Sequence, residues 1–508
     1  MIFSIFVDNY NHLKTMKKSE STSRKETPEE ELKRLREENK SLKSELKKSG
    51  KQHEQTKGKL KKAKDDLKQT KAELKKRRHD GNLEQRAEEI TFDAVPGHRY
   101  SLLVIKLCIL IYTRTNCGLR TVVKILEIFG EVFEGKCGKV PCYNTVENWM
   151  KKLGLSVYEN DRTPCRGGKY AVVVDESIFI NNEKLLLLFG IPARHKGEPV
   201  KHEDVTVIGM KVGKAFNGDD IKQEIEEAAT KAGRNPEYII NDQAHNLTNG
   251  VAKSGIAQHI DISHAMGTIL KKAYGKQADF VAFTKILGEV RLQYHLTDKA
   301  FLLPPNMRTI ARFMNMSSWV DWGQHMLHAY SILPKEKQEA YSFVPENKDL
   351  LDELAVAVDA VRHVEEICKT KGFNIATCNE CKHYIVRNVI GNANNRRAML
   401  GIRMLEYFKK EEALLVDDVQ NDNISSDIIE SDYGIFKSKK SPNKLYGITP
   451  FVLLIPLYPK LVNKSVTDTF NFKERLVNVK LKDIDTWAAK NMSTNWVTER
   501  TRIFRKTI

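Results

Sequence analysis

The sequence lacks long hydrophobic runs and a dense set of cysteines. No stretch approaches about 18 uninterrupted apolar residues, so no membrane-spanning helix is predicted. The eight cysteines are scattered, which indicates a reducing compartment rather than a disulfide-rich secreted domain. The start, MIFSIFVDNYNH, has a short apolar run without a preceding basic region and does not match a signal peptide. Met1 and Met16 are both candidate starts.

Acidic residues are also too few to balance the basic ones. The chain has 83 Lys and Arg against 66 Asp and Glu, a net charge of +17. This surplus favours a polyanionic partner, and nucleic acid before a membrane, because neutralising phosphates releases counterions. A generic basic protein is the alternative. The length of 508 residues predicts about three domains.

Residues 17–90 contain almost no aromatic residues and are predicted to form a basic coiled coil. Leucines recur every seven residues, with a polar Asn39 in the same register. Gly50 and Gly58 are expected to interrupt the pattern. The coil predicts a homodimer or a higher oligomer, and a single charged helix is the alternative.

Residues 95–160 are predicted to be helical. The last helix, VPCYNTVENWMKKLGL, carries Lys151 and Lys152 on its polar face and turns Val146 and Trp149 inward. A helix-turn-helix that places these lysines on DNA is one interpretation, and a plain helical bundle is the other.

The pattern changes to strands from residue 168. Three consecutive strand-like runs are followed by a helix, a strand, a helix, a strand and a helix, which predicts a mixed five-stranded sheet covered by helices over 168–275. Residues 276–420 are predicted to be an all-helical insertion. Residues 421–465 return to the α/β core, and residues 466–508 form a basic helical tail.

Two carboxylates are predicted to meet at one edge of this sheet. Asp175 follows three valines in the first strand, and Asp242 lies at the end of the fourth. A carboxylate at the exit of a buried strand is costly unless it is paired or bound to a cation. Mg²⁺ suits such a pair, because it takes a few carboxylates and keeps positions for water and phosphate oxygens.

This order of strands and acids resembles an RNase H-like core. The stretch SDIIESDYGIFKSKK adds Glu430 and resembles the third-acid helix of DDE-type transposases, in which basic residues beyond the Glu contact DNA. Its basic residues here are Lys437, Lys439 and Lys440. The stretch DISH, expected on the fifth strand, is similar to the (C/D)xxH motif of the Mutator and hAT groups and related prokaryotic elements. That similarity gives Asp261 and His264 a site-organising role.

The resemblance implies a DNA transposase that cuts and joins phosphodiester bonds at transposon ends. Asp175, Asp242 and Glu430 would be catalytic and hold two Mg²⁺ ions, with Mn²⁺ as a substitute, and the partner would be double-stranded DNA of the ends and the target. Trp319 in the insertion would stack on a base, with core packing as the alternative. The location would be the nucleoid-associated cytoplasm in a prokaryote and the nucleus in a eukaryote.

Several alternatives stay open at this level. The third acid has rivals in Asp427, Glu406, Glu411 and Glu412. The same acids would serve a nuclease without strand transfer, and a domesticated transposase would keep DNA binding without catalysis. A zinc site of Cys368, Cys378, Cys381 and His383 competes with ordinary helix thiols.

Overall fold

The computed structural model describes residues 28–79, 94–133, 138–179, 183–306, 313, 316–391, 394–439, 447–494 and 496–507. The chain divides after residue 89 into two compact units. The predictions on Lys440, on the start at Met1 or Met16, and on the two ends of the coiled-coil segment lie outside the described residues.

The first unit contains one long helix, α1 (Pro28–His79). The helix continues through Gly50 and Gly58, so these glycines interrupt the apolar seam without ending the helix. Seam leucines are open to solvent, and Leu46 is 78% exposed. A two-stranded coiled coil would cover these leucines, and the pairing stays a prediction.

The second unit begins with three helices and continues into the sheet. The helices are α2 (Leu102–Arg114), α3 (Leu119–Val132) and α4 (Tyr143–Asn160). The sheet region contains β1 (Tyr170–Ile178), β2 (Lys184–Pro192), β3 (Thr206–Gly213), α5 (Gly218–Ala232), β4 (Tyr238–Asn241), α6 (His245–Ser254), β5 (Ala257–Ile260) and α7 (Ile262–Tyr274). The predicted order of strands and helices is confirmed.

The five strands form one mixed sheet in the order β3-β2-β1-β4-β5. β1 pairs antiparallel with β2, and β2 with β3. β4 runs parallel to both β1 and β5. The antiparallel start and the parallel continuation agree with the prediction of a mixed α/β core.

Helices cover both faces of the sheet because alternate residues of β1 point to opposite sides. Val172 and Val174 pack against α5 and α6, whereas Ala171 and Val173 join a core with the helices before and after the sheet. That second core includes α2–α4 and residues up to Trp487. The described residues of 95–160 share this core with the sheet, and those of the predicted basic tail pack into it as far as Trp487.

The C-terminal part of this core is built from short helices around α15 (Asp427–Lys439). They are α16 (Leu454–Leu457), α17 (Lys464–Asp468), α18 (Phe472–Asn478) and α19 (Leu481–Asn491), followed by α20 (Trp496–Thr507).

The helical insertion has a hydrophobic core of its own. Its helices are α8 (Ala278–Tyr294), α9 (Met316–Ala329), α10 (Lys335–Ala340), α11 (Phe343–Glu346), α12 (Lys348–Lys371), α13 (Ile375–Tyr384) with a π-helical continuation (Ile385–Ile390), and α14 (Asn395–Glu412). α7 contributes Ile262, Met266 and Leu270 to the same core. Helix α7 therefore links the sheet to the core of the insertion.

A buried ionic cluster joins the insertion to the edge of the sheet. His259 on β5 lies 2.7 Å from Glu411 of α14 and 3.4 Å from Asp422, and both acids are buried. Asp422 also pairs with Arg194, 2.6 Å away, just beyond β2. Because each buried charge has a partner, the cluster can hold the insertion in one orientation.

Candidate active site

The register of the sheet places the two aspartates side by side. Val174 of β1 is paired with Asn241 of the parallel strand β4. Asp175 and Asp242 each come one residue later, at the same edge. Burial, and then the charge of Asp242, raises the pKa of Asp175 to about 8. The predicted pair of neighbouring carboxylates is therefore present in the structure.

Helix α15 brings Glu430 to the same edge. Its Tyr433 hydroxyl donates to the carbonyl oxygens of Asp175, 2.8 Å away, and Leu185, 3.0 Å away, which fixes the helix against β1 and β2. Glu430 lies one turn earlier and is 41% exposed. Burial raises the pKa of its carboxyl group.

The rival acids have other surroundings. Asp427 pairs with Lys369 at 2.7 Å, and Glu412 pairs with Lys382 at 2.6 Å. Glu411 belongs to the buried His259 cluster. Glu406 is exposed on α14. Among the candidates, Glu430 is the one that lines the cavity with both aspartates without a partner as close as these.

Asp175, Asp242 and Glu430 line one cavity of about 800 Å³. α7, α15, the insertion helix α12 and the start of α9 form most of the remaining wall. Glu176 also lines it, but its carboxylate is held by Lys184 at 2.6 Å and by the Asn246 amide at 2.7 Å. Within the described part of the chain, no three His, Cys, Asp or Glu side chains are gathered closely enough to form a ready ligand set for a metal ion.

The DISH stretch lies at the start of α7 and not on the fifth strand, where it was expected. β5 ends at Ile260, so Asp261 is the N-cap of α7 and His264 lies in its first turn. The buried Asp261 carboxylate accepts hydrogen bonds from the His264 backbone N–H at 2.7 Å and from its Nδ1 at 2.9 Å. It also accepts one from the Ser426 backbone N–H at 2.6 Å. One carboxylate thus orients His264 and the chain that enters α15.

His264 places a positive charge beside the acids. Burial opposes that charge, but the hydrogen bond to Asp261 and the neighbouring carboxylates raise the pKa of His264 to about 9. Its Nδ1 lies 3.7 Å from Glu430 Oε1. His264 is therefore in position to balance the charge of Glu430.

The lysines of α15 have separate roles. Lys437 lines the cavity, and its ammonium lies over the rings of Phe179 and Tyr433, 5.3 and 5.7 Å from their centroids. Lys439 instead donates to the carbonyl oxygens of Tyr112, 2.6 Å away, and Thr115, at the end of α2. The predicted phosphate contact of Lys439 is therefore replaced by helix capping.

We expect this difference to separate two variants. On the expectation of a DNA substrate, Lys437→Gln should lower cleavage about tenfold, because one charge of the cavity lining is lost, and it should cost less stability than the change at Lys439. Lys439→Gln should lower the free energy of unfolding by about 1–2 kcal/mol, because it removes a cation and its hydrogen bonds from a helix end. Urea unfolding and single-turnover cleavage test both; equal loss of stability in the two variants would contradict the assignment.

Helix α4 packs one face into the core and leaves its first turn, with Tyr143 and Asn144, exposed. Val146 and Trp149 are buried, and α18 and α19 pack against the helix. Lys152 Nζ lies 3.2 Å from His98 Nε2, and Lys151 pairs with Glu147 at 3.0 Å. The buried inner face confirms that Val146 and Trp149 point inward, and the choice between a bundle and a recognition helix stays a prediction.

Trp319 is a core residue. It is 1% exposed and packs between the rings of Phe280 and Phe283. Base stacking by Trp319 is therefore excluded in this conformation, and the packing interpretation is correct.

The cysteine cluster also belongs to the insertion core. The sulfurs of Cys368 and Cys381 are 4.0 Å apart, and the Cys378 thiol donates to the Phe408 carbonyl oxygen at 3.7 Å. Burial raises the pKa of Cys378 to about 12, which keeps the thiol protonated. His383 is exposed. The described residues therefore favour ordinary buried thiols over a zinc site.

Sequence reasoning missed the wall of the cavity that the insertion supplies. Arg362, Glu365 and Lys369 line it from α12. Their spacing puts them on one helix face. The pattern was visible, but no local signal could place that face opposite the sheet.

None of the described helices is long and apolar enough to cross a bilayer. No protein family model and no curated protein matches the chain.

Proposed function

We propose that the chain is a DDE-type DNA transposase with an RNase H-like core. The observation that carries the proposal is the meeting of Asp175, Asp242 and Glu430 in one cavity. These acids are remote in sequence and come from two parallel strands and a separate helix. Burial and the charge of Asp242 also disfavour the ionised form of Asp175, and a raised pKa of this kind is typical of functional carboxylates.

The architecture supports the same proposal. Three antiparallel strands lead into two parallel strands, as the resemblance requires, and Asp242 follows the fourth strand. A helical insertion with its own core separates Asp242 from Glu430. Asp261 and His264 join the insertion side of the cavity to the third-acid helix.

The donor set suits hard divalent cations by its chemistry. Asp175, Asp242 and Glu430 offer carboxylate oxygens, the ligands that Mg²⁺ prefers. When bound, two such ions would activate the attacking water or 3′-hydroxyl and steady the leaving oxygen. The three carboxylates would hold them, and Mn²⁺ would serve as a substitute.

The remaining side chains bind and orient. Carboxylates outnumber cationic side chains in the cavity lining, so a phosphodiester is repelled until added cations balance them. Lys437 would contact the DNA backbone beside the acids. Asp261 keeps His264 charged and the start of α15 in place. DNA binding in the cavity should therefore depend on divalent cations.

The basic helix α1 would have a role of its own. Its exposed seam leucines suit pairing with a second copy, which would bring two transposon ends together. Its lysines would add sequence-independent phosphate contacts.

The test is a cleavage assay on the full-length chain. We expect it to nick duplex DNA carrying the inverted repeats that border its reading frame, with Mg²⁺ or Mn²⁺ and not with EDTA. Pre-cleaved ends should then join to a target plasmid. Cleavage without joining would indicate a nuclease, and metal-dependent cleavage absent under all conditions would contradict the enzymatic proposal.

A further inference from the structure

Arg362 lies on the insertion wall of the cavity, on a different element from the three acids. It shares one face of α12 with Glu365 and Lys369, one and two turns further on. The apolar side chains of Val358 and Val361 flank it in the same wall. Arg362 therefore lines the cavity from the insertion side, although its present partner, Asp321, is not among the lining residues.

The present partner of Arg362 is a surface carboxylate. Its two terminal nitrogens contact the two oxygens of Asp321, Nη1 at 3.0 Å and Nη2 more closely. Asp359 is a weaker partner at 3.5 Å. Arg362 and Asp321 are 45% and 44% exposed. An ion pair this exposed is weak, so another oxyanion can replace the carboxylate.

A backbone phosphate has the geometry to replace it. The planar guanidinium matches two oxygens of a phosphate as well as it matches those of a carboxylate. Lys369 is less suited, because it lies 2.7 Å from Asp427 and 3.7 Å from Glu365 and is mostly buried. Arg362 is thus the cation of the insertion wall whose pairing is easiest to exchange.

We propose that Arg362 binds a backbone phosphate of the DNA strand that enters the cavity, and that Asp321 occupies this phosphate position when DNA is absent. The inference rests on the proposed function and adds a positioning residue to it. Asp321 then competes with DNA. Removing Arg362 should weaken DNA binding, whereas removing the Asp321 charge should strengthen it.

The test compares Arg362→Gln and Asp321→Asn in the full-length chain. Binding of a fluorescein-labelled DNA oligonucleotide, single-stranded and duplex, is measured by anisotropy over a salt series with Ca²⁺ as the divalent cation. Arg362→Gln should bind about five- to tenfold more weakly, and its log–log salt slope should fall by about 1. Asp321→Asn should bind about threefold more tightly.

A second ion pair provides matched controls. Lys371 is the last residue of α12, is exposed, and pairs with Glu380 at 2.8 Å outside the cavity lining. Lys371→Gln and Glu380→Gln change the net charge by the same amounts and should alter binding less than about twofold.

The two substitutions also separate DNA binding from a structural role. Loss of a structural ion pair would lower the melting temperature in both variants and weaken DNA binding in both. Opposite effects on affinity support the proposal. It is overturned if Arg362→Gln binds like Lys371→Gln, or if Asp321→Asn binds more weakly than the wild type. DNA binding is measured without any cleavage step. A wild type that binds DNA but does not cleave it would therefore contradict the proposed function, while the affinities of the variants would still decide the role of Arg362.

Discussion

Asp175→Asn is expected to abolish metal-dependent DNA cleavage, by about three orders of magnitude or more, while stabilising the metal-free protein. The loss follows because Asn removes an anionic oxygen from the cation-binding set. The gain in stability follows because burial and the charge of Asp242 disfavour ionised Asp175 in the folded state. We expect the free energy of unfolding at pH 7 to rise by about 2 kcal/mol. Asp242→Asn should cause the same loss of cleavage.

The pH dependence provides an independent check. The pKa of Asp175 is about 8 in the folded protein and near its ordinary acidic value when unfolded. Between these values the folded state binds the extra proton, so the stability of metal-free wild type should fall as pH rises from about 4 to about 8. Asp175→Asn should lose this part of the dependence. Thermal melting in EDTA at several pH values measures both.

A buried acid with satisfied partners serves as the control. Asp422 pairs with Arg194 and His259, so Asp422→Asn should destabilise the protein. If Asp175→Asn were destabilising as well and retained full cleavage, Asp175 would be a structural carboxylate, and the catalytic assignment would fail.

Asp261→Ala is expected to lower the free energy of unfolding by about 3 kcal/mol. It should also reduce cleavage by more than the decrease in the folded fraction accounts for. The fully buried carboxylate accepts three hydrogen bonds, and its loss leaves those donors without a partner. The Ser426 contact sets the start of α15, so Glu430 should lose its position relative to the aspartates.

Measurements on folded protein separate the two effects. Urea unfolding gives the stability change, and single-turnover cleavage at low temperature, where the variant is folded, gives the change in activity. Asp261→Asn keeps an acceptor oxygen and should lose less of both. Cleavage that follows the folded fraction alone would show that Asp261 supports the fold and does not position the site.

Much of the core was predictable because its signals are local. The apolar runs of β1 and β4 and the short turns between β1, β2 and β3 define the strands. Once β1 and β4 are parallel neighbours, an acid after each buried run must come to the same edge. Glu430 was predictable from its context, though the resemblance and not the residues alone supplied it.

Other parts depended on contacts that no local pattern encodes. Lys437 and Lys439 are two residues apart and look alike in sequence, yet one faces the cavity and the other caps α2. For Trp319 the sequence favoured core packing and left base stacking open, and the packing against Phe280 and Phe283 decided between them. The role of a side chain on a helix depends on the element that packs opposite it, and long-range packing determines which element that is.

The sequence by itself determined the order of strands and helices along the chain, the basic helical segments and the strand ends that carry Asp175 and Asp242, because hydrophobic periodicity and strand ends are short-range properties. The tertiary structure alone decided what packs against α4, that α7 packs into the core of the insertion, and that Arg362 lines the same cavity as the acids. These features arise when separate hydrophobic cores dock, and the docking depends on the shape and charge of surfaces distant in the chain.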